Sequence, residues 1–362
     1  MPFYRDLAQE IPFYSLFMSQ NEDFYPKNLS VQEKVVPLPT INPTTLLVRK
    51  ASAPGWDFVF LEFQRMRYTK QAITLAEQIK TLHERGLFIE DDAEAIEVLE
   101  HISYFRLADY WRPLESDPVT HVFASGSRFS DVLRCYDFDK ELKVLLFTAI
   151  QTIEVAVRAK MIKHFSPSFG PFWFMEEAMA LNVGHFHSNL AHVRTEVARS
   201  KETYIKEHFQ KYDEPDLPPV WKTLEVVSFG TLSKLFCNFA DNDVKNDVAR
   251  DFRLPQFLVL ESWLECLTAL RNYIAHHARI WNRRFPQKPE LLRRTAYPWI
   301  ANRRIQPFKL YPILCCIAYW LNAIDQKNTF VFDLKSLLMK YPSVNPLQMG
   351  FPATWVQEPL WQ

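Results

Sequence analysis

The sequence predicts an all-α protein: a helical bundle with a small tri-helical unit on its N-terminal side. Three observations predict it. Only 7 of the 362 residues are glycine while 29 are phenylalanine, which favours long packed helices over a turn-rich β fold. The two longest stretches of regular apolar spacing, 129–165 and 262–285, follow a period near 3.6 rather than 2. Both end at strong breakers, Gly170-Pro171 and Pro286. A hydrophobic share of 48% can build a sizeable core, and the length allows two or three domains.

Residues 1–65 stand apart from the rest. Seven prolines fall within the first 54 residues, and no periodicity persists beyond an apolar run, Trp56 to Phe63, that reads as a strand or hydrophobic arm. This segment is expected to be an irregular arm, or an extension upstream of a natural start at Met66. Residues 66–128 form the tri-helical unit. Its first helix runs from Gln71 to Glu84, with Gly86 as the C-terminal cap residue. Asp91 or Asp92 caps a second helix carrying Ile96 and Leu99. The run ISYFRLADYWRPL starts a third, stopped by Pro113. A unit of this size can read DNA, but its third helix is aromatic-rich, with Arg106 and Arg112 as its only cations. Packing is the better reading.

Residues 129–325 hold the main domain. After a loop over 115–127, a long helix is expected from about Asp137 or Asp139, carrying Glu154 and Arg158 as an i, i+4 ion pair. The next helical stretch, 172–212, scatters His185, His187, His192 and His208 without metal-ligand spacing. A helical segment over 218–236 is broken at Ser228-Phe229-Gly230, and 241–253 reads as a solvated loop with a short helix. Past Pro286, arginines at 293, 294, 303 and 304 and Lys309 alternate with Tyr297, Trp299 and Phe308. That mixture suits either a single-stranded RNA track or a loop covering apolar surface. Tyr311 to Ala323 is a closing apolar helix, Leu334 to Leu338 a short further one, and 326–362 a tail packing on the bundle.

The formal net charge is zero, so whole-molecule charge does not advertise a nucleic-acid partner. Five cysteines, odd in number and without metal or framework spacing, fit a reducing cytoplasm. No signal peptide or run of 18 apolar residues is present, so a soluble protein without membrane contact is expected.

The most informative stretch is Ser262 to Phe285. Taken as one helix, it puts Trp263, Leu267, Leu270, Ile274 and Trp281 on an apolar stripe, and Asn272, His276, Arg279 and Arg283 almost opposite. Arg271 lies on the shoulder between them. From Arg271 to Leu310 there are ten Lys or Arg residues against one acid, Glu290, too one-sided for an ordinary solvated face. Positive neighbours disfavour protonation of an imidazole, and a neutral imidazole is what a general base needs. Arginines supply bidentate donors for a phosphate. Together these groups suit RNA cleavage in which the 2′-hydroxyl is the nucleophile and the protein positions, deprotonates and stabilises charge.

Arg271-Asn272-Tyr273-Ile274-Ala275-His276 resembles the R-N-x-x-x-H form of the HEPN superfamily motif, and its extension HHARIWNR resembles the abortive-infection (Abi) family of the AbiD/AbiF type. Further blocks resemble that family in order: L-x-x-R-G-L, I-S-Y-F-R-L-x-x-Y-W-x-P, Y-x-F-D-x-x-L, I-E-x-x-x-R and the tail from Met349 to Trp361. The resemblance covers about 66–361. It implies a HEPN-like bundle and a metal-independent endoribonuclease used as a toxin in phage defence or a toxin–antitoxin system. Arg271, Asn272 and His276 are then catalytic. Glu154, Arg158, Arg279, Asn282 and Arg283 are supporting or RNA-binding residues, with no metal and no cofactor. RNA is implied as substrate, and as a candidate non-coding antitoxin. A single motif copy implies a homodimer with a composite site. Many such toxins continue H-x-Y where this chain has His277-Ala278, so regulation through that tyrosine is not carried over, and His277 reads as structural. The alternative is a HEPN-fold module that binds RNA or a protein partner without cutting.

Overall fold

The computed structural model describes residues 45–52, 55–62, 69 and 71–362, and the chain divides into two compact units, Met1–Thr74 and Leu75–Gln362. In the first unit two antiparallel strands, β1 (Thr45–Ser52) and β2 (Gly55–Glu62), pair from Thr45↔Glu62 through to Ser52↔Gly55. The apolar run expected around Trp56 is therefore one half of a hairpin rather than a lone arm. Its partner TLLVRKAS escapes a reading by alternation because it does not alternate. Met66 lies outside the described residues.

The second unit is all-α apart from one small hairpin. It opens with α1 (Leu75–Glu84), α2 (Asp92–His101) and α3 (Tyr104–Trp111). Gly86 takes φ +91 just past α1, and the Asp91 carboxylate accepts the amides of Ala93 and Glu94 at 2.8 and 3.2 Å, the N-cap that the sequence signalled. Helix α3 buries Leu107, Tyr110 and Trp111, so these two aromatics are used for packing, while Phe105 stays exposed. The expected loop over 115–127 instead contains a hairpin, β3 (Glu115–Asp117) with β4 (Val122–Phe123).

Helix α4 (Phe129–Phe169) is 41 residues long and is the axis of the unit. Its buried positions, among them Phe138, Leu142, Leu146, Ile153, Val157, Met161 and Phe165, recur every three to four residues. The helix starts eight or more residues earlier than expected, because Phe129 and Val132 are already buried in the core. Gly170, at φ +80, ends it where the sequence placed the stop.

Around this axis follow α5 (Val183–Arg199), α6 (Thr203–Lys211), α7 (Val220–Val226), α8 (Phe229–Asn238), α9 (Asn242–Asp251), α10 (Phe257–Ala275), α11 (Leu310–Ile324) and α12 (Phe330–Lys340). The Ser228 hydroxyl caps α8 by accepting the Thr231 amide at 3.2 Å, which explains the break at Ser228-Phe229-Gly230. The 241–253 stretch does hold the expected short helix, but it is not solvated all round. It is α9, which buries Val244, Val248 and Ala249 and even Lys245, whose amine pairs with Glu261 at 2.6 Å. Helix α11 buries every residue from Leu310 to Leu321, so it is apolar all round because it is covered all round. The tail folds back on it, with the Trp361 indole N–H donating to the Tyr311 hydroxyl at 3.0 Å. All five cysteines are free thiols. Among the described residues no helix is long and apolar enough to cross a membrane.

Candidate active site at the end of a buried helix

Helix α10 carries its apolar stripe as expected: Trp263, Leu267, Leu270 and Ile274 are buried, and Trp263 stacks on Trp299 while donating to the Glu290 carbonyl at 2.8 Å. The helix does not, however, run to Phe285. It stops at Ala275, with His276 as the C-cap and His277 in the left-handed region at φ +55. The His277 amide donates to the Ile274 carbonyl and the Ala278 amide to the Tyr273 carbonyl, both at 2.9 Å. This pair of bonds is a Schellman closure with histidine where glycine is usual. Arg279 and Arg283 are therefore not on a helical face with Asn272 and His276, and Trp281, though buried, is not on the helix stripe.

The cause of the stop lies far away in the sequence. Asp139, fully buried on α4, accepts the backbone amides of Ile280 and Trp281 at 3.1 and 2.6 Å. It also accepts the Tyr110 hydroxyl at 2.7 Å and pairs with the Lys143 amine at 2.9 Å. Burial, then the Asp139 charge, push the Tyr110 phenol well above its usual range, so it stays a donor. Tyr110 stacks on Trp281 with its ring centroid 6.3 Å away. One helical turn before Tyr110, Arg106 donates from its guanidinium to the His277 carbonyl. An amide held by a buried carboxylate cannot also serve an i→i−4 bond, and the chain leaves the helix.

The last turn of α10 thus presents its polar groups at a fixed edge. Arg271 is half-buried, and Asn272, His276 and His277 are exposed. Arg271 and His276 are five residues apart, about 7.5 Å along a helix axis. Past the turn, the Arg283 guanidinium lies 4.4 Å from the centre of the Tyr273 ring, and Asn282 adopts a left-handed conformation at φ +50. Arg279 is pulled down from the usual guanidinium range by burial, against the opposing charge of Asp109 and together with that of Arg283.

Glu154 and Arg158 form the expected pair on α4, and Arg158 also donates to the Val227 carbonyl at 2.8 Å. Their polar contacts are with each other and with the break before α8. The basic–aromatic stretch after Pro286 turns its rings inward: Trp299 is buried on Trp263, and Tyr297 packs edge-on against Tyr319. Arg303 is engaged with the Leu292 carbonyl. The aromatics here cover the core. Among the described residues no group of three or more His, Cys, Asp or Glu is arranged to hold a metal ion.

Sequence reading missed Asp139, Tyr110 and Arg106 as parts of this region. The signal was available: an acid in the apolar register of α4, four before Lys143 and in line with Leu142 and Leu146, needs a buried partner. A family model described as Abi-like protein matches residues 97–282, just over half of the chain. The matched stretch runs from α2 through Asn282 and includes Arg106, Tyr110, Asp139 and the Arg271–His276 turn; the tail lies beyond it. No curated protein and no solved structure matches the chain.

Proposed function

The chain belongs to the Abi-like protein family, a family of abortive infection, and on that premise we propose that it is a metal-independent endoribonuclease acting as a toxin in phage defence. In this reading His276 takes the proton of a ribose 2′-hydroxyl. The 2′-oxygen attacks phosphorus, the 5′-oxygen leaves with a proton from an acid, and the products are a 2′,3′-cyclic phosphate and a 5′-hydroxyl. Arg271 holds the phosphate and offsets the charge that builds on its oxygens, and Asn272 orients the strand. The observation that carries the reading is the placement of Arg271, Asn272 and His276 on an accessible last turn whose end is fixed from two other helices. The groups are pre-positioned on rigid elements while open to a polyanion.

One histidine serves as base, but the leaving oxygen also benefits from an acid. A homodimer with two Arg271–His276 turns across its axis supplies one from the second copy. Incubating the purified chain with end-labelled RNA in EDTA tests the reaction. Cleavage to cyclic-phosphate ends should persist in EDTA and disappear in His276→Ala and in Arg271→Ala. Products with 5′-phosphate and 3′-hydroxyl ends, or activity that EDTA abolishes, would contradict the mechanism. Excess chains carrying both substitutions should poison wild-type activity through mixed dimers; activity that tracks wild-type concentration alone would remove the composite site.

A further inference from the structure

The cations that follow the α10 turn do not disperse. The Phe285 amide donates to the Phe308 carbonyl at 2.7 Å, which closes the excursion over 286–307 and returns Lys309 to the side of Asn282. The Lys309 amine donates to the Asn282 side-chain oxygen at 2.8 Å. Arg283 lies on Tyr273 and donates from Nε to the Arg279 carbonyl. The Arg279 Nε is itself buried and, among the described residues, meets no acceptor. Arg279, Arg283 and Lys309 are thus half-buried neighbours. Burial draws the Lys309 amine down from its usual range, and Arg279 and Arg284 act in the same direction. Asp109 and Asp139 offset Arg279 in part. Like charges gathered in a partly desolvated place repel one another, and an anion taken up among them relieves that repulsion.

We propose that Arg279, Arg283 and Lys309, ordered by the Asn282 amide, form an oxyanion subsite that takes a phosphate group beside the Arg271–His276 turn. Stacking on an aromatic face leaves the edge of a guanidinium available to oxygen, and the planar fork suits phosphate. Tyr273 belongs to the catalytic turn, so the subsite is continuous with it. The phosphate can come from the backbone of a single-stranded RNA crossing that turn, or from a free phosphorylated compound. Only the first source rests on the ribonuclease reading.

The two sources separate in one set of measurements on the full chain carrying His276→Ala, which silences cleavage. Binding of a fluorescent oligouridylate is followed against salt, and melting temperature is followed against pyrophosphate. Lys309→Gln keeps the side-chain stem. It should weaken RNA binding several-fold and reduce the slope of log affinity against log salt by about 0.7, the loss of one phosphate contact on a single strand. Arg283→Gln should do the same on the same scale, Lys309→Arg should restore both values, and Lys206→Gln on α6 should change neither. If pyrophosphate raises the melting temperature in a Lys309-dependent way while RNA binding ignores Lys309, the subsite serves free phosphates. If RNA is not bound at all but that melting shift is present, the subsite stands and the ribonuclease reading falls. Variants at Lys309 and Arg283 that match the parent in both measurements overturn the subsite.

Discussion

The last turn of α10 and the five residues after it differ in almost every physical respect. In the turn, Asn272 and His276 are exposed and Arg271 is half-buried. In the segment after it, the His277 carbonyl is held by Arg106, the Ile280 and Trp281 amides are held by Asp139, and Ile280 and Trp281 are buried. In the proposed function one region offers chemistry and the other supplies position. Local sequence gives the turn its groups, while α3 and α4, more than a hundred residues earlier, give it its end. Reactive groups need freedom to meet a ligand, and the adjacent backbone needs to have none.

Breaking the holding region should have the largest effect. Asp139→Ala leaves Lys143, Tyr110 and two amides without their acceptor, so the chain should lose about 3–5 kcal/mol of stability, read by urea unfolding. Any residual folded protein should have lost cleavage as well. If the variant unfolds like wild type, the helix stop has another cause.

A second anchor on α4 separates stability from activity. Burial would raise the Asp251 carboxyl, but hydrogen bonds from Lys163, His164 and Lys160 outweigh it and hold the group well below the usual range. Asp251→Asn should cost about 1–3 kcal/mol near pH 7, as loss of hydrogen bonds to a charged group does. A depressed carboxylate contributes stability above its unfolded value of about 3.9, and that contribution fades as pH falls. The gap between variant and wild type should therefore begin to narrow below about pH 5 and keep narrowing through the strongly acidic range. Cleavage per folded molecule should stay normal; a loss there would mean that the positioning network extends to α9.

A smaller change of opposite sign is expected at His277. A left-handed non-glycine residue is strained by about 1–2 kcal/mol, so His277→Gly should raise stability by up to about 1 kcal/mol after the added backbone entropy of glycine. A drop instead would mean that the His277 side chain makes contacts that matter. The smallest change in stability belongs to the candidate turn. Arg271→Ala and His276→Ala should unfold within about 0.5 kcal/mol of wild type while abolishing cleavage, because neither side chain is buried in the core.

Much of the fold was legible because its signals are local. Asp91 before α2, Ser228 at the α8 break, Gly170 after α4 and the stripe of α10 all act within a few residues of where they are read. The end of α10 was not legible for the same reason. Between Ala275 and Pro286 there is no glycine or proline, and Arg279 and Arg283 fall in helical register with His276 by coincidence. The residue that ends the helix is Asp139, and nothing near Ala275 points to it. The same distance hid Lys309 from Asn282, which meet only because Phe285 and Phe308 pair. Arg271, Asn272 and His276 are candidates by motif alone; how their surroundings are held was legible only in three dimensions.

The Asp139 bonds to Ile280 and Trp281 span 141 and 142 residues of chain. Closing a ring of that size costs roughly 2 kcal/mol more chain entropy than closing one of ten residues. Contacts of such long reach tend to form late, after the local helices have assembled. In kinetic terms the region belongs to the descent from the folding barrier rather than to the climb. Substitutions there should accelerate unfolding and leave the refolding rate little changed. A newly collapsed chain can therefore hold Arg271 and His276 on a formed helix before that helix has a settled end, so the chain acquires its shape some time before it acquires its site.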